Sequence, residues 1–280
     1  TISKTRIVAG GRTTVSQQIV RVDKESKEPM GKAQEQQLEE YLKQVLPQVK
    51  GVVLSDYGSG TITDKLLGQI FAYCQEHNIP TIVDSRYDIL RFKTVDYIKQ
   101  NDAELSAAID RDLATEEELV QGGCELLLKM SAKGALITRG EDGMSLFQII
   151  SPQEAADYLK SQEVSGSVDA GQFREGLTVK LVVKRQTGRL SVVQELISYQ
   201  DRDILVSHIP VTDKSEVYDV SGAGDTCVAT VILGLAAGLE PLLACQLSNE
   251  ASGIAVRKMG TSVVYAQELE ARFRQLGYEA

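Results

Sequence analysis

Cysteine and histidine are scarce in this chain, and each scarcity excludes something. Of its 280 residues four are cysteine: Cys74, Cys124, Cys227 and Cys245. They are scattered, none forms a C-x-x-C pair, and each stands in an apolar, helix-like setting. They read as reduced core residues of a cytosolic protein rather than as a disulfide framework. Two histidines, His77 and His208, are too few for a histidine-rich metal site. No run is long or apolar enough to span a bilayer, and the first residues carry no signal-peptide pattern. The expectation is a cytoplasmic protein without a membrane partner. Basic residues are also in deficit. Lys and Arg total 30 against 39 Asp and Glu, for a net charge of -9. That balance argues against nucleic acid or an anionic membrane as the main partner. A small phosphate ligand stays compatible, because local backbone dipoles bind anions on an acidic protein.

What is present is ordinary globular material. Hydrophobic residues make up 42% and charged residues 25%, enough for a sizeable core in one large domain or two small ones. Short apolar runs alternate with helical patterns. Strands are predicted at Gly51–Ser55, Ile79–Asp84, Val95–Ile98, Gly134–Thr138 and Met144–Ile150. Helices are predicted at Glu35–Leu46, Thr63–His77, Asp102–Ile109 and Thr115–Met130. This β-α-β-α rhythm predicts an α/β protein with a parallel sheet covered by helices on both faces. Ligands in such folds bind beyond the carboxyl ends of strands. The polar residues after those ends are Asp56, Asp84, Asn101 and Arg139.

Two segments break the rhythm. Residues 1–23 read as an extended lid or edge strand, which can pair across a homodimer. Residues 151–206 read as an insertion. It opens on a capping box, Ser151-Pro152-Gln153-Glu154. A Ser165-Gly166-Ser167 joint follows, and then a hairpin, Leu177–Lys184 and Leu190–Leu196, around a Thr187-Gly188 turn. Beyond it lie three helices: Thr226–Ala237 and Pro241–Lys258, both rich in small residues, and Ala266–Leu276.

The most informative stretch is Asp219-Val220-Ser221-Gly222-Ala223-Gly224-Asp225-Thr226, placed directly before an apolar helix. A helix start offers unpaired N–H groups and a partial positive charge. Glycines there let an anion approach the main chain. An aspartate at such a place is commonly only a cap. Two glycines, two acids and a small-residue helix together point instead to a phosphate site.

These residues resemble the ribokinase-like (PfkB) carbohydrate kinases, and among them the kinases of D-glycero-D-manno-heptose 7-phosphate. The likeness runs through Thr5–Gly10, Leu54-Ser55-Asp56-Tyr57-Gly58, Asn101-Asp102-Ala103-Glu104, Thr138–Leu146, Asp219–Thr226 and Gly260-Thr261-Ser262. Taken in this order the pieces are highly specific. The resemblance implies a three-layer fold with a mainly parallel sheet, and one kinase domain over 1–280. It implies ATP, Mg²⁺ and a small sugar or sugar phosphate. It assigns Asp225 as general base, and Gly222, Ala223 and Gly224 as an anion hole. Asn101 and Glu104 would organise Mg²⁺. Thr138, Arg139, Gly140, Gly143 and Asn249 would flank the nucleotide. Asp56, Asp84 and Arg86 would face the acceptor, the last two standing where heptose kinases usually carry Asp-Pro-Lys. Asp219 and Ser221, with carbonyls near Ala255, Lys258 and Gly260, resemble a monovalent-cation site, with K⁺ the candidate ion.

Three departures qualify the expectation. The chain begins where the family fold is already under way, so the first βα units, the glycine-rich sugar site and half of the lid are expected to be absent. That would leave an open sheet edge. The 151–206 segment is longer than the usual connection. The chain ends at Ala280 without the nucleotidyltransferase motif that heptose proteins often carry, so a bifunctional role is not expected. The alternative to a sugar kinase is a catalytically impaired, kinase-like subunit that binds nucleotide or a partner. A nucleoside kinase is a third reading, opposed by the Thr5–Gly10 and Tyr57 likenesses.

Overall fold

The structure, a computed structural model, describes residues 3–10, 17–25, 28–163, 173–174, 176–187, 190–214 and 217–277. The 165–167 joint and Gly188 lie outside these residues. The chain opens with strands β1 (Ser3–Ala9) and β2 (Gln17–Lys24), then α1 (Lys32–Val45). Next come β3 (Val52–Asp56), α2 (Asp64–Glu76), β4 (Thr81–Ser85) and β5 (Tyr97–Asn101). Helices α3 (Asp102–Ile109) and α4 (Glu116–Met130) lead to β6 (Gly134–Thr138) and β7 (Met144–Ile150). Helix α5 (Pro152–Glu163) precedes β8 (Phe173–Arg174), β9 (Leu177–Thr187), β10 (Leu190–Tyr199) and β11 (Arg202–Ile209). The last elements are α6 (Ala223–Ala236), α7 (Pro241–Ala255) and α8 (Ala266–Gln275).

Strands β3 to β11 form one nine-stranded sheet in the order β3-β4-β5-β6-β7-β11-β10-β9-β8. Strands β3 to β6 are parallel, as the β-α-β-α rhythm predicts. From β7 onward each neighbour runs antiparallel. Strand β11, whose sequence pattern does not announce a strand, pairs with β7 and with β10 and so joins the hairpin to the central sheet.

Period-two alternation feeds two cores, one on each face. Val83, Ile98, Ile137 and Phe147 point to the side covered by α2, α3 and α4. Their neighbours Ile82, Leu136 and Leu146 point to the other side, against Cys227, Val228 and Val231 of α6 and Cys245 of α7. A third cluster seats Ala155 of α5 on Leu181, Val183 and Leu196 of the hairpin. All four cysteines are buried and unpaired. Among the described residues, no helix is long and apolar enough to cross a membrane.

Strands β1 and β2 make a separate two-stranded antiparallel sheet. Ile7, Val8, Ile19, Val20 and Val22 are exposed on it.

Two of the boundary shifts bear on the site, one set by a tertiary hydrogen bond and the other by a backbone conformation. The predicted strand over Val95–Ile98 runs instead over Tyr97–Asn101. Asp96 is held outside it, accepting from the N–H and hydroxyl of Thr81 at 2.9 Å. Helix α6 begins at Ala223, earlier than predicted, because Gly222 takes a left-handed conformation (φ 81°) as its N-cap. Asp225 therefore sits in the first turn of the helix.

Candidate active site

Three strands deliver polar groups to one end of the sheet. At the end of β3, the Asp56 carboxylate faces inward and is 7% exposed. It accepts from the Gly58 N–H at 3.0 Å and from the Ser85 hydroxyl at 2.9 Å. Tyr57 points the other way. Its hydroxyl donates to Asp225 Oδ1 at 3.2 Å, and Lys4 of β1 lies 5.0 Å from its ring centre. Burial, and then the charge of Asp225, push the Tyr57 hydroxyl above its ordinary value. The phenol stays protonated at neutral pH and remains a donor.

At the end of β4, Asp84 accepts from Lys99 Nζ at 3.2 Å. Burial pushes the Asp84 carboxyl up, Lys99 opposes the rise, and Glu104 and Asp225 add to it. For Lys99 burial pulls downward, but the charges of Asp84 and Glu104 outweigh it and the ammonium lies above its usual range. Arg86 turns away: its guanidinium lies over the Tyr87 ring at 5.8 Å, and its backbone N–H donates to the Asp56 carbonyl.

At the end of β5, Asn101 and Glu104 form a capping box on α3. The Glu104 N–H donates to Asn101 Oδ1 at 2.7 Å, and the Asn101 N–H donates to Glu104 Oε2 at 2.9 Å. The pattern therefore has a helix-starting role of its own. It also holds the Glu104 carboxylate within the field of Lys99 and Asp84.

The first turn of α6 meets these strand ends. The turn before it is braced by Asp219, whose carboxylate accepts from the Ser221 N–H at 2.8 Å and the Gly260 N–H at 3.1 Å. The Ser221 hydrogen bonds, backbone first, hold the Asp219 carboxyl below its usual range. Behind the turn opens a cleft of about 540 Å³, lined by Thr138, Gly140, Gly143, Ala223, Gly224 and Asn249 among others. Val211, Val217, Val220 and Val256 give it apolar walls. Asn249 is 9% exposed and its amide donates to the Pro210 carbonyl at 2.9 Å, tying α7 to the strand end. Arg139 stands apart from the lining, in an ion pair with Glu116 at 3.0 Å.

The structure thus gathers Asp56, Asp84, Asn101, Glu104 and Asp225 at one end of the sheet, and Thr138, Gly140, Gly143 and Asn249 along the adjoining cleft. Arg86 and Arg139 are directed elsewhere. No motif marks Lys99 in the sequence. Its signal was the Lys99-Gln100 pair inside a strand flanked by parallel neighbours, where apolar residues are the rule. The Tyr57–Asp225 contact joins residues 168 positions apart and has no local signal. Tyr57→Phe keeps the ring and removes the donor. Turnover is expected to fall about threefold to tenfold with nucleotide KM unchanged, the size of one hydrogen bond to a charged acceptor at a half-exposed site. Steady-state kinetics of the variant check it, and an unchanged kcat would remove Tyr57 from the site.

Among the described residues no cluster of three or more His, Cys, Asp and Glu is arranged to hold a metal ion. A magnesium–nucleotide complex does not need one, since Mg²⁺ keeps waters and binds through one or two carboxylates plus phosphates. The surplus of carboxylates around Lys99 fits that requirement. Asp219 keeps carboxylate lone pairs beyond the two it gives to N–H groups, as a monovalent cation would need.

The architecture, a three-layer α/β sandwich with a cleft at the strand ends, is that of the ribokinase-like kinases. Ribokinase from Arabidopsis thaliana, solved with ribose and ATP, superposes with a TM-score of 0.57 at 14% identity, over 99% of this chain and 70% of that one. Phosphofructokinase-2 from Escherichia coli, solved with potassium, gives 0.56 at 18% identity, over 95% and 68%. In sequence, the profile of the pfkB family carbohydrate kinases matches residues 1–165 and 196–267. The chain belongs to the pfkB family, whose reaction is phosphoryl transfer to an alcohol. Similar curated proteins include the bifunctional protein HldE of Hyphomonas neptunium, 32% identical over 278 residues. That of Geobacter metallireducens is 32% identical over 270 residues. They align with 99% and 96% of this chain, which spans 45% and 43% of their length.

Proposed function

We propose that this chain transfers the γ-phosphoryl group of ATP to a hydroxyl of a sugar phosphate, the anomeric hydroxyl of D-glycero-D-manno-heptose 7-phosphate. One observation carries the reading: a helix N-terminus bearing a carboxylate meets the strand-end cluster at the inner end of a nucleotide-sized cleft. ATP is the donor substrate and lies in the cleft, its base between the valine walls and Asn249. Thr138, Gly140 and Gly143 let its phosphates run close to the main chain. The N–H groups of the Gly222–Gly224 turn receive the transferring phosphoryl oxygens, where fixed dipoles need no reorganisation as charge shifts. Asp225, exposed beside that turn, takes the proton from the attacking hydroxyl. Tyr57 holds its other face. Asn101 and Glu104 would hold Mg²⁺ with its waters, and the ion would supply charge neutralisation at the phosphates. Asp219 and Ser221 brace the turn, with K⁺ as a further brace. On the acceptor side Asp56 shapes the strand end from within. Asp84 stands beside the reacting centre. Arg86 would have to swing from the Tyr87 ring to meet a sugar phosphate, an anion that an Arg suits through its forked donors.

The test is ADP release with Mg²⁺ and ATP against a panel of acceptors: heptose 7-phosphate, fructose 6-phosphate, ribose and adenosine. The heptose phosphate is expected to give the highest kcat/KM. A higher value with another sugar would overturn the acceptor. Nucleotide binding without turnover on any acceptor would favour the non-catalytic, kinase-like subunit.

A further inference from the structure

The lysine beneath the α6 turn has no assigned part in this chemistry, and its setting is unusual. Lys99 is one residue short of the last two of β5, and its side chain is 6% exposed. A buried ammonium is expensive unless it is fully used. Among the described residues its hydrogen bond goes to Asp84 Oδ2, which occupies one of three N–H donors. The space above it is just as specific. A Cβ built on Gly224 would stand 2.9 Å from Lys99 Nζ and 4.0 Å from Asp84 Oδ2. The missing side chain at 224 is therefore the room in which the ammonium sits. Gly224 belongs to the first helical turn and lines the cleft. An anion received by the N–H groups of that turn comes within reach of the two spare donors.

We propose that Lys99 is a catalytic residue of this site, donating to an oxygen of the terminal, transferring phosphoryl group while Asp84 holds its amine in place. The proposal rests on the kinase reading above and deepens it. Three consequences follow from the geometry. Lys99 touches the phosphoryl group that ATP has and ADP lacks. Asp84 acts through Lys99 and is a positioning residue rather than an acceptor contact. Gly224 is required for clearance as much as for its N–H.

Calorimetric titration of the full chain with β,γ-imido ATP and with ADP, both with Mg²⁺, separates the possibilities. In Lys99→Met the affinity for the imido analogue is expected to fall about 10- to 100-fold, the scale of a charge-assisted hydrogen bond lost. Affinity for ADP is expected to change less than about twofold, since ADP has no group at that position. Equal losses for both nucleotides, or none for either, would overturn the proposal while leaving the kinase reading intact. Failure of the unsubstituted chain to bind either nucleotide would overturn both. If Lys99→Met does not fold, Gly224→Ala carries the same test. Its Cβ displaces the ammonium without removing it, and the same selective loss is expected. A Gly224→Ala protein that binds the imido analogue as tightly as the unsubstituted chain would refute the assignment.

Discussion

Replacing Asp225 by Asn is expected to lower kcat by about 100-fold or more, the contribution of a positioned general base. The substitution is well suited to the question because it changes little else. Asn keeps the size of Asp, and its side-chain oxygen still accepts from the Tyr57 hydroxyl, which reaches Asp225 Oδ1 at 3.2 Å. Asp225 is exposed in the first turn of α6, so no buried charge is left unpaired. Nucleotide affinity is therefore expected to stay within about twofold, because the backbone N–H groups of the α6 turn, the proposed anion site, are unchanged. Loss of turnover with binding retained marks a group needed in the transition state and not in the ground state. A variant retaining near-full activity would sink the role of Asp225 as base. So would a variant that lost binding and turnover together, for that would describe a structural residue. The measurement is a kcat determination at saturating ATP, paired with calorimetry.

The second large effect is on stability. Gly143→Ala is expected to destabilise the fold by about 3 kcal/mol or more, from strained backbone and overlap with a neighbour. Gly143 turns β6 into β7 with φ 85° and ψ -124°, a region open to glycine and closed to alanine. A Cβ there would stand 2.1 Å from the Ile209 carbonyl oxygen and 3.0 Å from Pro210. Those atoms are the end of β11 and the start of the cleft wall, so relaxation would distort the cleft. For a domain of this size the loss corresponds to a fall of roughly 10 °C in Tm, read by differential scanning calorimetry. An unchanged Tm would mean that the β6–β7 turn takes another path. The resemblance placed Gly143 beside the nucleotide; its conformation adds a reason to be glycine that is independent of any ligand.

These two residues illustrate what could be read from the chain alone. Elements whose boundaries are set locally were legible. Helix α3 starts on its own capping box at Asn101, and α4 on the capping box of Thr115 and Glu118. Strands β6 and β7 are short apolar runs bounded by glycine, and their predicted limits match those observed. Boundaries set across the sheet were not legible. The side chain that ends the loop before β5 is Asp96, and its partner Thr81 belongs to another strand. Strand β11 begins Arg202-Asp203 and carries a buried Ser207 beside His208, so its alternation is weak. The α6 turn was legible because glycine and acid at a helix start state their chemistry locally. The pairs Tyr57–Asp225 and Asp84–Lys99 were not, since each needs the strand order to bring its members together. Nor could spacing show that Arg139 is engaged by Glu116.

The pairing of β7 has a consequence for how the molecule assembles. One neighbour, β6, is reached through the short connection 139–143, which holds a single 3-10 turn, Gly140–Asp142. The other, β11, arrives only after the whole of 151–201 has been made. Closing that loop adds little to the equilibrium cost, because loop entropy grows only with the logarithm of length. It acts on order in time instead, since contacts between distant segments form late. Val211, Asp213 and Lys214, which line the cleft, lie just beyond β11. The parallel strands and their helices can therefore consolidate while one wall of the cleft is still absent. A ligand that needs this cleft would meet a complete site only after the meander has docked, and its binding would add free energy to that last step.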